Sequence, residues 1–250
     1  MKNFVFGVLM LVVGFVSAQN SQELFQEGNQ YYQEENYLKA IQSYKNIVKK
    51  DEVSSELYFN LANAYYKINK MAEAIYYYEK ALQLNPTNKD AQLNLAYANR
   101  GIIDSIKSVP KSVFEKLNDN LQTLLSYNQW ALASVILSLT AGCIWILFFF
   151  SIKPATKKMF FTLSIIFTIA CCGSLAITMQ QYHYTKNTVY AIVFAEEVII
   201  RNAPRETASE VFILHQGTKL KVLDEVGTWQ KIKISDGQIG WVDKKLIKKL

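Results

Sequence analysis

Reactive chemistry is what this 250-residue chain has least of. It contains two histidines, His183 and His215, and neither has a Cys, His or carboxylate nearby at metal-ligand spacing. No phosphate-cradling glycine loop and no nucleophile elbow is present, and the carboxylates are scattered over helical faces. Catalytic residues, a metal and a cofactor are therefore not expected. The three cysteines, Cys143, Cys171 and Cys172, all fall inside apolar runs, so the rest of the chain must be stable without disulfides. The adjacent pair reads as small packing residues rather than a redox couple. Positive charge is also not concentrated in any one domain. Residues 19–129 carry 12 basic and 13 acidic side chains, and residues 189–250 carry 10 and 8. Without a basic track, nucleic acid is not an expected partner.

What is present in quantity is apolar sequence without charge. Trp130–Phe150 and Met159–Met179 each approach the roughly twenty residues that an α-helix needs to cross hydrocarbon. Neither run holds an ionisable residue other than cysteine, which argues against ion or proton transport. The loop Ser151–Lys158 between them carries Lys153, Lys157 and Lys158, so it is expected on the cytoplasmic side, with a two-pass hairpin above it. Both flanking parts then share the non-cytoplasmic face. The N-terminus reads as a secretory signal over residues 1–18, with Lys2, an apolar stretch Phe4–Phe15 and small residues at Ser17 and Ala18. An uncleaved third span is the alternative, and it delivers the next segment to the same face.

A period of 34 residues follows. Aligning Ser21–Ser54 with Ser55–Asn88 places Gly28 on Ala62, Tyr31 on Tyr65, Ala40 on Ala74, Tyr44 on Tyr78 and Ile47 on Ala81. Tyr58, Leu61, Ala62, Tyr65, Ala74, Tyr78, Ala81 and Pro86 fill the signature positions of a motif that resembles the tetratricopeptide (TPR) repeat. The expected organisation is one repeat over 19–54, a second over 55–88, and a partial third over 89–108 acting as a cap. In the first copy Glu27 and Glu52 depart from the signature. Residues 109–128 carry a helical apolar spacing, read either as an amphipathic helix on the membrane surface or as a further capping helix. The abundant tyrosines are expected at signature sites or on half-exposed helical faces.

The resemblance to TPR arrays implies a concave face that holds a partner's peptide or helix. By position, that face would present Phe25, Asn29, Tyr32, Phe59, Asn63, Tyr66, Leu93, Tyr97 and Arg100. Asn29 and Asn63 stand where TPR proteins hydrogen-bond ligand backbone. The cations of a carboxylate clamp are replaced by Phe25, Leu93 and Tyr97, so an apolar or helical ligand is expected.

From Val189 the periodicity shortens. Trp229–Ile234 alternates as a half-buried strand does, and Asp236-Gly237 marks a hairpin turn before Gln238–Val242. Gly227-Thr228-Trp229 and Gly240-Trp241-Val242 resemble the bacterial SH3-like (SH3b) domain, over residues 186–250. That likeness implies a small β-barrel that binds peptide or cell-wall material. Trp229 and Trp241 are its candidate ligand surface, with a core or rim role as the alternative. Lys244, Lys245, Lys248 and Lys249 are read as a solvated edge or a contact for anionic lipid or wall polymer.

The fold class expected is thus a multidomain membrane protein: an all-α TPR solenoid, a two-helix transmembrane hairpin and a small all-β SH3-like barrel. The order of parts resembles the BatE-type proteins of the Bacteroides aerotolerance (Bat) family. That resemblance implies a non-enzymatic scaffold in the inner membrane, with periplasmic modules. It also implies Bat-type partners, including von Willebrand-domain membrane subunits, and a link to oxygen or stress tolerance. A cell-wall sensor whose SH3b domain binds peptidoglycan is the alternative function.

Overall fold

The computed structural model describes residues 21–106, 109, 116, 120–121 and 124–250. The proposed signal segment 1–18 and most of the 109–128 segment lie outside these residues. The chain divides into two compact units, Met1–Val109 with Tyr190–Leu250, and Pro110–Val189.

In the first unit, residues 21–33 form α1, followed by α2 (Tyr37–Val48), α3 (Ser55–Lys67), α4 (Met71–Leu84) and α5 (Lys89–Arg100). The 34-residue period reaches into the backbone. Glu35 and Asn69 both take left-handed φ, 58° and 59°, and so turn the chain between the helices of a pair. At the helix starts, Ser54 accepts from the Leu57 N–H and Asn88 from the Ala91 N–H, each at 3.0 Å. Ala40, Ala62, Ala74 and Ala81 are fully buried, which lets the helices approach closely, and Tyr44 and Tyr78 fill the spaces beside them. Gly28 replaces alanine in the first copy because a Cβ there would strike the Tyr44 ring.

Helix α4 departs from a one-sided amphipathic pattern. Ala74, Ile75, Tyr76, Tyr77 and Tyr78 are all buried, five consecutive positions that span more than one 3.6-residue turn. Such a helix needs cover on opposite sides. In α2 the counterpart of Tyr76 is Gln42, which is exposed. The half-exposed setting expected for Tyr76 and Tyr77 is therefore corrected: they are 7% and 8% exposed, because a second layer covers Tyr76 while Tyr58 and Tyr65 of α3 pack on Tyr77.

That layer is an antiparallel sheet of seven strands: β1 (Val189–Val193), β2 (Glu197–Arg201), β3 (Glu210–His215), β4 (Lys219–Val226), β5 (Trp229–Lys233), β6 (Ile239–Asp243) and β7 (Ile247–Lys249). Their order is β3-β2-β6-β5-β4-β1-β7. Strand alternation sends Gln230 and Ile232 of β5 and Gly240 and Val242 of β6 inward, where Val193, Val198, Ile200, Leu214 and Leu220 complete a core. Gly237, with φ of 96°, makes the expected turn between β5 and β6.

The second unit contains α6 (Tyr127–Phe150) and α7 (Pro154–Asn187), both long and apolar enough to cross a membrane. Their apolar side chains face outward, Leu139, Phe149 and Ile169 being largely exposed, an arrangement that water penalises and hydrocarbon does not. The seam between them combines ring contacts, such as Phe148 with Phe161 at 5.8 Å, with polar groups that find partners. Ser134 donates to Ser174 at 2.9 Å, and Ser174 donates to the Trp130 carbonyl at 3.0 Å. The turn is shorter than the eight residues expected. Pro154 suits the first turn of a helix, so α7 starts there, the connection is Ser151–Lys153, and Lys157 and Lys158 lie on the helix.

One carboxylate in the first unit carries three hydrogen bonds. Asp104, just beyond α5, accepts from the His215 N–H at 2.7 Å and the Thr218 hydroxyl at 2.5 Å, and its other oxygen lies 2.7 Å from His215 Nδ1. Burial pushes the Asp104 carboxyl up. The bonds from the His215 backbone, Thr218 and the His215 ring outweigh it, so the net shift is downward. A carboxyl whose folded value is depressed stabilises the fold above the ordinary range near about 4 and loses that contribution as pH falls through the folded value. Acid titration followed by tryptophan fluorescence should show this: Asp104→Asn flattens the loss of stability below about pH 4 relative to the unmodified chain.

Candidate functional site

Helices α1, α3 and α5 bear the residues that the TPR resemblance assigns to ligand binding. Two buried tyrosines set their chemistry. Asn29 Oδ1 accepts from the Tyr44 hydroxyl at 2.7 Å and from Asn60 Nδ2 at 3.0 Å. One period later, Asn63 Oδ1 accepts from the Tyr78 hydroxyl at 2.6 Å and from Asn94 Nδ2 at 2.9 Å. Burial raises the pKa of both phenols, so they stay protonated and remain donors. Each carboxamide oxygen, with two lone pairs, is thus occupied within the chain. Asn29 and Asn63 were expected to meet ligand backbone as donors and acceptors together; the acceptor half is taken. Asn60 and Asn94 were not singled out from sequence, although their 34-residue separation was the available signal.

The remaining residues on these helices are mostly rings. Phe25 packs 5.9 Å from Tyr44 and Phe59 packs 6.1 Å from Tyr78, centroid to centroid. Tyr32 is half-buried, edge-on to Tyr37 at 5.3 Å. Tyr32 and Tyr66 both lie close enough to Tyr78 to add to its raised pKa. Tyr66, Leu93 and Tyr97 are exposed, at 37%, 54% and 48%. Arg100 lies over the Tyr97 ring at 5.4 Å, a cation–π contact. On its other side α5 shows Gln92, Ala96 and Asn99 to solvent, where α3 packs Tyr58, Ala62 and Tyr65.

The second candidate surface is the outer face of the sheet. Trp229 and Trp241 are half-buried there, their backbone neighbours being the inward-facing core residues. Trp229 stands opposite Asp243, and Trp241 stands between Lys231 on β5 and Arg201 on β2. Lys231 Nζ lies 6.0 Å from the Trp241 ring centroid. The four C-terminal lysines are exposed, and three of them have partners. Lys244 and Lys249 reach Glu225 at 3.6 and 2.8 Å, and Lys248 lies over the Tyr76 ring at 4.2 Å. Among the described residues no cluster of His, Cys, Asp and Glu could hold a metal ion.

Because Asn63 holds a buried hydroxyl, its variants should act on stability. Asn63→Ala leaves the Tyr78 hydroxyl without this acceptor and is expected to cost about 1–3 kcal/mol, and Tyr78→Phe about 1 kcal/mol. The double variant should cost clearly less than the sum, measured by urea unfolding of the full chain in detergent.

Comparison with known families fits these two geometries. Residues 196–248 match the bacterial SH3 domain and residues 55–88 match the tetratricopeptide repeat. No curated protein shows a significant match to the chain. The chain therefore contains a TPR repeat and a bacterial SH3 domain, two kinds of binding module, together with two apolar helices.

Proposed function

We propose that this protein is a membrane-anchored, non-enzymatic scaffold whose TPR groove holds an apolar, helical segment of a partner protein. The observation that carries the reading is the occupied asparagine oxygens beneath exposed Tyr66, Leu93 and Tyr97. An extended peptide needs acceptors for its backbone N–H groups. A helix has satisfied those groups internally and needs only apolar surface. Arg100 at the end of this surface suits an acidic residue flanking the apolar stripe.

In this reading α1 to α5 form a short solenoid with α5 as its cap, and the sheet is a rolled SH3-like barrel. The two apolar helices cross the inner membrane as a hairpin, with the lysine-bearing turn in the cytoplasm and both modules in the periplasm. The resemblance in module order favours a Bat-type envelope complex, with von Willebrand-domain subunits as partners and oxygen or stress tolerance as the process. A second reading rests on Trp229 and Trp241, half-exposed on one face with a lysine beside them: stacking on sugar rings would make the SH3b domain a peptidoglycan sensor.

Leu93→Glu with Tyr97→Ala, both exposed, should leave folding intact. In native membranes the pair is expected to reduce co-purification of membrane-protein partners at least about tenfold, the cost of removing a groove anchor. Unchanged co-purification, with binding to peptidoglycan abolished instead by Trp241→Ala, would favour the sensor. Topology is checked separately with alkaline phosphatase fusions. Activity is expected after Val109 and after Leu250, and silence for a fusion within Ser151–Lys153.

A further inference from the structure

The outer side of α4 differs from the rest of the helical array in being covered at Ile75 and Tyr76, and the cover comes from the far end of the chain. Tyr76 meets Phe194 edge-on, ring centroids 5.8 Å apart, and carries the Lys248 ammonium on its ring. Glu79 pairs with Lys219 at 2.7 Å. Ile192, Phe194 and Leu250 share one continuous apolar cluster with Ile75 and Tyr76. The β3–β4 turn is pressed against the helices at Gly217. Its φ is 90°, and a Cβ there would lie 2.6 Å from Ile102 and 3.2 Å from Ile75. The same turn supplies His215 and Thr218, the two residues that grip Asp104.

We propose that the outer face of α4 is an interaction surface whose permanent occupant is the chain's own bacterial SH3 domain, with Asp104 as the latch that fixes the two in register. The TPR helices and the sheet then form one cooperative unit rather than two modules on a tether. The reason is physical. With five consecutive buried residues, α4 has no solvent-compatible face there, so removing the sheet would expose Ile75 and Tyr76 together. Two and a half repeats are also near the lower limit for a repeat array, since each repeat buries its apolar side only against a neighbour. Apolar contact supplies the attraction and is tolerant of register. The Asp104 carboxylate is directional and holds three donors from a single turn, so it selects one alignment.

A functional consequence follows from where α4 lies. Tyr78, which holds Asn63 on the ligand-facing side, is adjacent in the same helix to the residues that the sheet covers. Whatever binds the native unit on either side stabilises the whole of it, so occupancy of one module strengthens the other without a new contact.

Hydrogen exchange read by mass spectrometry on the full-length protein in detergent micelles tests this proposal. Thr218→Val keeps the shape of a side chain inside the SH3 domain and removes the hydroxyl bonded to Asp104. It is expected to speed amide exchange in α4 and α5 about fivefold, although it lies far from both in sequence. Asp104→Asn, a milder change on the helical side, should speed exchange in β3 and β4 to a similar degree, and the two variants together should add little. Exchange in α4 and α5 at the unmodified rate in Thr218→Val, or fully additive effects in the double variant, would overturn the proposal. Should Thr218→Val unfold the SH3 domain outright, α4 and α5 must lose protection with it; helices that stay protected beside an unfolded sheet contradict it equally.

Discussion

A buried hydroxyl that must find an acceptor is the constraint on which the packing of α1, α3 and α5 depends. Tyr44 and Tyr78 fill the space between helices and cannot reach water, so each needs a fixed partner. Asn29 and Asn63 supply it, and a second amide, Asn60 or Asn94, takes the remaining lone pair. The arrangement ties α3 to α1 and α5 to α3 at a set register. It also occupies the Asn29 and Asn63 oxygens from within the chain, while Tyr66, Leu93 and Tyr97 stay exposed nearby.

Helix α4 connects that arrangement to the second module. One side carries Tyr78 into the asparagine ladder, and the opposite side carries Tyr76 and Glu79 against the bacterial SH3 domain. Two binding modules that share a helix in this way are not independent in energy, whatever each one binds. The C-terminal lysines take part in the same economy. Lys248 lies over an aromatic ring and Lys249 pairs with Glu225, while both stay exposed at the sheet's edge.

Much of the architecture was legible because it is periodic. A 34-residue spacing of small and aromatic residues predicts helical hairpins, and the residues at those positions are the ones found buried, from Ala40 and Tyr44 to Ala74 and Tyr78. Alternation from Trp229 and the glycine of Asp236-Gly237 predict β5, β6 and their turn in the same local way. What escaped was long-range. The Asp104–His215 contact joins residues 111 apart, and neither residue has a distinctive neighbourhood in sequence. Tyr76 looked half-exposed because a helix paired only with other helices has one buried face; the sheet buries the other, while Tyr77 is covered by Tyr58 and Tyr65 of α3. The run Ile75–Tyr78 was the available clue, four large apolar or aromatic residues in succession on a helix.

On the proposed reading, the TPR face selects an apolar helix. A photo-reactive phenylalanine analogue in place of Tyr97, activated in native membranes and followed by sequencing of the joined peptide, examines it most directly. The account predicts attachment to a segment of a membrane or envelope protein with apolar residues at helical spacing. Attachment to an extended proline-rich stretch, to a C-terminal carboxylate peptide or to wall glycan would contradict it.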